Sequence, residues 1–168
     1  VGESCVGKTT IFNAMVHGEH KPTTATVGVD TARCEMDYGR RTVQVNLWDT
    51  GGQERFHSVC AFSYRKANAF LMVFSLSSHE SFEKLNFWID DIRKNSDNPV
   101  ICVGNKKDLA DQREVTVEEA REFAARHQTL YTETSALYME GIDDLKDEML
   151  RTVMDAAEEP PRDSGFTL

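Results

Sequence analysis

Two short, continuously apolar runs constrain the fold of this chain most: AFLMVFS at 69–75 and VICVGN at 100–105. Runs without polar alternation are typical of strands that are buried on both faces, as in parallel sheets. Between them, Ser77 with Glu80 three residues later is a capping-box pattern that predicts a helix start. One apolar face then recurs at helical spacing, at Phe82, Leu85, Ile89 and Ile92.

Similar patterns extend along the rest of the chain. The segment TIFNAMV predicts a helix, VDTARCEMDY and TVQVNLW predict two strands joined by a turn, and LYTET predicts a short strand. Thr116 with Glu119 predicts another helix start, and residues 139–156 carry a last helical stripe. We therefore predict an α/β fold with a mostly parallel sheet covered by helices on both faces. It forms one domain at 1–157, followed by a tail at 158–168.

Composition excludes some functions. The formal net charge of −9 argues against nucleic-acid binding, because an acidic chain repels the phosphate backbone. We find no apolar stretch of membrane-spanning length. The cysteines, Cys5, Cys34, Cys60 and Cys102, are irregularly spaced, which favours reduced thiols over disulfides or a metal site.

A phosphate-binding pattern, G-x-x-x-x-G-K-[ST], opens the chain at Gly2, Gly7, Lys8 and Thr9. Glycines let the backbone wrap so that successive N–H groups converge on an anion, Lys8 adds a charge for the outer phosphates, and Thr9 offers a hydroxyl to Mg²⁺. A glycine-rich turn that merely caps a helix is the alternative. The pattern predicts phosphate binding without naming the nucleotide, at Gly2, Ser4, Cys5, Val6, Gly7, Lys8, Thr9 and Thr10.

The segment NKKD, at 105–108, directly follows the second apolar run. A carboxylate at Asp108 can accept two N–H bonds from the Watson–Crick edge of guanine, and adenine offers no matching pair. Lys106 can lay its methylene stem over a purine face. In ETSAL, at 133–137, Ser135 and Ala136 can bring backbone N–H groups to the base O6. The predicted base-binding residues are Asn105, Lys106, Asp108, Leu109, Ser135, Ala136 and Leu137.

The segment WDTGGQERF, at 48–56, comes at the end of the predicted strand TVQVNLW and can contact the third phosphate. Asp49 is expected to hold Mg²⁺ through water, Gly52 to offer an N–H, and Gln53 to orient an attacking water. Upstream, the hydroxyl of Thr26 is expected to reach Mg²⁺. An ordinary Gly-Gly turn is the alternative. Segments that touch only the terminal phosphate and the metal predict a two-state switch.

Together these residues resemble the nucleotide-binding motifs of Ras-superfamily small GTPases: GESCVGKT, Thr26, WDTGGQ, NKKD and ETSA, in order and spacing. TVGVD, WDTGGQERF and SYRKA resemble the Rab branch. The resemblance implies a P-loop NTPase fold and binding of GTP and GDP with Mg²⁺. It implies slow GTP hydrolysis, with Gln53 and Lys8 as catalytic residues and Thr9, Thr26 and Asp49 as metal-binding residues.

The same resemblance implies a monomer in vesicle traffic, in the cytoplasm or on the cytoplasmic face of endomembranes. Exchange factors, GTPase-activating proteins and effectors are its expected partners, through residues 18–31 and 49–64. Membrane association is expected only if a lipidated tail is missing from this chain, since GFTL at 165–168 is not a prenylation motif.

The chain departs from the family pattern at several positions. Gly51 stands where Rab proteins usually carry Ala, the segment from Thr9 to Thr26 is one residue shorter than usual, and His20 replaces the aromatic that flanks guanine. Of an aromatic triad that effectors often read, at positions 31, 48 and 63, only Trp48 is aromatic here.

Two alternative functions follow. The first is a scaffold that holds guanine nucleotide without switching, and the second is an ATP-using phosphotransferase, which the phosphate loop alone would allow. Of the central strand that leads into that loop, only Val1 is in this chain. We therefore expect a fragment or truncated gene product that folds poorly and binds GTP weakly.

Overall fold

The structure is a computed structural model that describes residues 1–20, 23, 26, 28–51 and 64–158. The strands are β1 Val29–Tyr38, β2 Arg41–Thr50, β3 Phe70–Ser75, β4 Val100–Asn105 and β5 Leu130–Glu133. The helices are α1 Lys8–His17, α2 His79–Glu83, α3 Leu85–Asn95, α4 Val117–Arg126 and α5 Ile142–Glu158, with a 3₁₀ turn at Ala110–Gln112.

The described strands form two sheets. In the first, β3, β4 and β5 are parallel, with β4 in the middle and Cys102 opposite Met72 and Tyr131. In the second, β1 and β2 form an antiparallel hairpin in which Val29 lies opposite Thr50. Parallel strands joined through helices confirm the predicted α/β class, and all predicted strands are present.

The core lies on both faces of the parallel sheet. On one face, α3 presents a buried row that includes Leu85, Trp88, Ile89 and Ile92, as its apolar spacing predicts. On the other face, α1 and α5 contribute Ile11, Met15, Leu145 and Met149, among others. All six residues of β4 are buried, which explains the unbroken apolar run in its sequence.

The helix starts show where local sequence signals suffice. The capping box at Thr116 is confirmed: the Thr116 hydroxyl accepts from the Glu119 N–H at 3.2 Å, and the Glu119 carboxylate accepts from the Thr116 N–H at 2.9 Å. The box predicted at Ser77 is wrong by one residue. Ser78 caps α2 and accepts from the N–H of Ser81, whereas the Ser77 hydroxyl bonds that of Ser75 at 2.9 Å.

Val1 lies against the edge of β3 that no other described strand occupies, and it extends the parallel sheet by one residue. Its amino group donates to the Leu71 carbonyl at 2.8 Å, and its carbonyl accepts from the Val73 N–H at 2.9 Å. A groove of about 750 Å³ runs from this point between β2 and β3. We call it the central groove; its walls include Val45, Leu47, Phe70, Leu71, Leu150 and Val153.

At the other end of the chain, α5 reaches Glu158, the first residue of the predicted tail. Residues 159–168 lie outside the described residues.

Candidate nucleotide and metal site

The opening loop adopts a backbone that only glycine allows at two positions. Gly2 has φ +136°, and a Cβ there would lie 2.1 Å from the Val73 carbonyl oxygen. Gly7 has φ +97°, and a Cβ there would lie 2.2 Å from Nδ2 of Asn105. Both glycines of the predicted phosphate loop are therefore required by close approach as well as by conformation.

The loop leads into the positive end of α1. Gly7 is the N-cap of this helix and supplies no side-chain cap, and the first turn contains no acidic residue. The positive end of the helix therefore faces the loop without a carboxylate from its own first turn, as an anion site requires. The Lys8 ammonium donates to the Glu3 carbonyl at 2.6 Å, which folds the lysine back over the loop. Ser4 and Cys5 are exposed, and Val6 is buried.

The three residues predicted to bind the metal converge in the structure. The Thr9 hydroxyl lies 2.6 Å from Oδ2 of Asp49 and 2.7 Å from the Thr26 hydroxyl, and the Thr26 hydroxyl lies 3.0 Å from the same Oδ2. The second carboxylate oxygen of Asp49 is buried and has no hydrogen-bond partner among the described residues. Two hydroxyls and a carboxylate with an unused oxygen are the hard donors that Mg²⁺ prefers, so these residues fit that ion.

Elsewhere, the described part of the chain contains no group of three or more His, Cys, Asp or Glu that could hold a metal.

Asn105 joins the phosphate loop to the predicted base-binding loop. Its amide nitrogen donates to the Val6 carbonyl at 2.9 Å. Its amide oxygen accepts from the Thr134 hydroxyl at 3.1 Å and from the Ala136 N–H at 3.2 Å. Asn105 is 2 % exposed, so these bonds form away from water and fix the two loops relative to each other.

The residues predicted to bind the base lie together beyond the carboxyl end of β4. Oδ1 of Asp108 accepts from the Ser135 hydroxyl at 2.5 Å, and Lys106 has a left-handed backbone with φ +66°. The N–H of Ser135 donates to the Glu140 carbonyl at 3.0 Å, so it is engaged within the protein. The N–H of Ala136 is engaged by Asn105 as well. Base contact through these two N–H groups stays a prediction, as does base contact by Leu109 and the exposed Leu137.

An ion pair that was not predicted from the sequence lies at the start of this loop. Arg113 donates two bonds to the Glu133 carboxylate, at 3.1 and 2.5 Å, and Tyr131 donates a third at 2.6 Å. Burial raises the pKa of Glu133, but the bonds from Arg113 and Tyr131 outweigh it and hold that pKa below its ordinary value. The same pairing raises the pKa of Arg113.

Another unpredicted contact links the phosphate loop to α3. The indole N–H of Trp88 donates to Oε1 of Glu3 at 3.2 Å, across 85 residues of sequence. No local sequence pattern predicts a contact between residues so far apart in the chain. Gly52 and Gln53, which are predicted to meet the third phosphate and the attacking water, lie outside the described residues, so their roles stay predictions.

Comparisons with known proteins agree with the motifs. A model described as the Ras family matches residues 1–155. Ras-related protein Rab-4 of Dictyostelium discoideum is 36% identical over 157 residues, which cover 92% of this chain and 77% of that protein. Human Ras-related protein Rab-4B is 33% identical over 171 residues, or 98% and 80%. Ras-related protein Rab-11A of D. discoideum is 30% identical over 168 residues, or 98% and 78%.

None of the helices in the described segments combines the length and the apolar character needed to cross a bilayer.

Proposed function

This chain belongs to the Ras family of GTPases, and we propose that it is a switch that binds GTP or GDP with Mg²⁺ and hydrolyses GTP slowly. The observation that carries the proposal is the convergence of Thr9, Thr26 and Asp49 within 3.0 Å of one another. These residues come from the phosphate loop, from the following loop and from the end of β2. A metal held between them would couple nucleotide binding to the conformation of the segments that contain Thr26 and Asp49.

Phosphate recognition is assigned to the loop at residues 2–10. Its N–H groups and the start of α1 supply positive potential, and the Lys8 ammonium supplies a full charge. Because Lys8 already bonds the Glu3 carbonyl, its position above the loop is restricted before any phosphate arrives. Restricted donors of this kind stabilise transition-state charge without a further ordering cost.

Metal binding is assigned to the hydroxyls of Thr9 and Thr26 and to Asp49. When bound, Mg²⁺ would neutralise charge on the outer phosphates. Of these three residues, Thr26 lies in the segment 18–31. Its hydroxyl would therefore couple that segment to the terminal phosphate through the metal. Loss of that phosphate would then release the segment, which is the physical basis of switching.

Base selection is assigned to Asp108, with Asn105 and Ser135 as its supports. The Ser135 hydroxyl bonds Oδ1 of Asp108 and limits rotation of the carboxylate. An aligned carboxylate matches the two N–H donors of guanine and opposes adenine.

The relatives named Rab suggest that the switch acts in vesicle traffic on the cytoplasmic face of endomembranes. Exchange factors, GTPase-activating proteins and effectors that contact 18–31 and 49–64 are the partners we propose, with the protein acting as a monomer.

Single-turnover hydrolysis of GTP tests the enzymatic part of this proposal. We expect Gln53→Leu to lower the rate of phosphate release by about tenfold or more, because Leu cannot orient a water for attack. GDP affinity should change little, since Gln53 is assigned to the third phosphate only. The matched control is Gln112→Leu, at an exposed position on the 3₁₀ turn, which should leave the rate unchanged.

Equal phosphate release from the native chain and Gln53→Leu would refute the catalytic assignment and favour the non-switching scaffold. Strong competition by ATP against labelled GDP would refute the base assignment.

A further inference from the structure

An exposed ion pair connects the two loops that are predicted to bind the base. The ammonium group of Lys107 donates to Oε1 of Glu140, across 33 residues of sequence. Lys107 directly precedes Asp108, and Glu140 lies in the turn between β5 and α5. Neither Lys107 nor Glu140 is assigned a contact with nucleotide or metal, so the proposed function leaves their pairing unexplained.

The pair is one link in a closed ring of contacts that includes Asp108. Glu140 is bonded to Ser135 by two backbone hydrogen bonds of 3.0 Å, one in each direction. The Ser135 hydroxyl donates to Oδ1 of Asp108 at 2.5 Å. A further bond, from the Lys107 N–H to the Thr134 carbonyl at 3.0 Å, links the same two loops. Separation of Lys107 from Glu140 would open this ring and leave Ser135 less restrained against Asp108.

The loop that carries Glu140 has a backbone that needs such restraint. Met139 has a left-handed backbone, with φ +62°, although it is not glycine. Gly141, on the other side of Glu140, has φ +72°, and a Cβ there would lie 2.6 Å from the Glu133 carbonyl oxygen. A left-handed conformation at a residue with a Cβ persists only where the surrounding contacts impose it. The bonds of Glu140, which lies between Met139 and Gly141, are placed to impose it.

The attraction between the two charges is modest and depends on salt. The bond to Glu140 raises the pKa of Lys107 above its ordinary value, and Glu133 contributes in the same direction. The Lys107 side chain is 42% exposed and that of Glu140 is 55% exposed, so solvent and dissolved salt screen the pair. An ion pair of this kind can change an affinity by a few-fold, and its loss leaves the fold intact.

We infer that Lys107 and Glu140 are positioning residues for guanine: their ion pair holds the loop of Ser135 against Asp108 and keeps that carboxylate aligned with both N–H donors of the base. Hypoxanthine offers only one of these donors, because it lacks the 2-amino group of guanine. An aligned carboxylate therefore favours GDP over inosine diphosphate, and a less restrained carboxylate discriminates less between them. The inference rests on the proposed function, because it assumes that Asp108 contacts the base.

The ratio of the affinities for GDP and inosine diphosphate, measured by competition against fluorescently labelled GDP, tests the inference. We expect Lys107→Met and Glu140→Gln each to lower this ratio by about threefold relative to the native chain. The double variant should lower it no further, because both substitutions break the same pair. Lys107→Arg keeps the cation and should keep the native ratio.

The ratio separates positioning of the base from a general loss of stability. Both nucleotides carry the same phosphates, so a change in the phosphate loop or in the stability of the fold alters the two affinities equally. Lys146→Met is the matched control, because it removes another lysine–carboxylate pair, with Asp143 on α5, and should leave the ratio at its native value.

Native ratios in both Lys107→Met and Glu140→Gln would overturn the inference. A double variant in which the two losses multiply would also overturn it, since the residues would then act independently. A native chain that binds neither nucleotide would instead overturn the proposed function.

The salt dependence of the same ratio provides a second measurement. As the KCl concentration rises from about 0.05 M to about 0.5 M, the ratio of the native chain should fall toward that of Lys107→Met, because added ions screen the pair. The ratio of Lys107→Met should stay nearly constant, since the phosphate contributions of the two nucleotides cancel. A native ratio that is independent of salt, or an equal fall in both proteins, would contradict the inference.

Discussion

At the scale of single residues, Asp108 is the side chain on which guanine selection is proposed to depend. Asp108→Asn should weaken GDP binding by about 100-fold, because the new amide presents a donor where the carboxylate accepted. Xanthine offers an acceptor at that edge, so xanthosine diphosphate should bind the variant better than GDP does. Competition of both nucleotides against labelled GDP measures the change.

Asp111→Asn is the matched control for this prediction. It removes the same charge from an exposed position three residues away and should leave both affinities as they are in the native chain. If Asp108→Asn keeps its preference for guanine, the proposed pairing between this carboxylate and the base is wrong.

Spacing in the sequence could predict which residues come together where these lie in short, defined segments. Gly2, Gly7 and Lys8 belong to one loop, and the convergence of Thr9 with Asp49 follows from where that loop and β2 end. The bond between Glu3 and Trp88 could not be predicted, because it depends on how α3 packs against the sheet.

At the scale of elements, β5 and the base-binding loop are linked to the 3₁₀ turn by Arg113 and Glu133. Because the pKa of Glu133 is held below its ordinary value, the pair stabilises the folded state at pH values above about 4.5, where unfolded glutamate is ionised. The contribution is then lost as the pH falls through the lowered pKa. We expect it to be about 1 kcal/mol, since solvent screens a partly exposed pair.

Thermal unfolding between about pH 7 and pH 3 checks this expectation. Glu133→Gln should lower the melting temperature near neutral pH, and the difference from the native chain should shrink as the solution is acidified. Glu122→Gln, which neutralises an exposed glutamate on α4, should follow the native curve throughout. A constant offset between Glu133→Gln and the native chain would contradict the assigned cause.

Element types were predictable because burial on both faces leaves a distinct pattern, as in β4. The exact residue at which a helix starts was harder to predict. Thr116 and Glu119 form both bonds of the predicted capping box, whereas the hydroxyl of Ser77 is taken up by Ser75, which leaves the cap to Ser78. Adjacent serines offer equivalent local signals, and only the position of β3 decides between them.

At the scale of the whole molecule, the central groove separates the β1–β2 hairpin from the parallel sheet. Its walls are mainly apolar, and Val1 already occupies a parallel position on β3 at its edge. An extended apolar segment fused ahead of Val1, such as Ile-Val-Ile-Val, should therefore enter the groove. We expect burial of these side chains to exceed the cost of ordering them by about 2 kcal/mol, which should raise the melting temperature by about 5 °C.

A fused segment of equal length with alternating charges, such as Ile-Lys-Val-Glu, is the control. A groove covered on both faces accepts side chains on both sides of a strand, so the alternating segment should give less than half of the gain. Equal melting temperatures for the native chain and the apolar fusion would show that the groove does not accept a strand.

The bonds of Asn105 also constrain how this molecule can evolve. One side chain bonds the predicted phosphate loop through Val6 and the predicted base-binding loop through Thr134 and Ala136, so we expect any replacement to disturb both loops together. Asp108 is attached to a single loop through Ser135. Under the proposed function, a replacement at Asp108 is expected to change the preferred base without disturbing phosphate binding, whereas a replacement at position 105 is expected to disturb both.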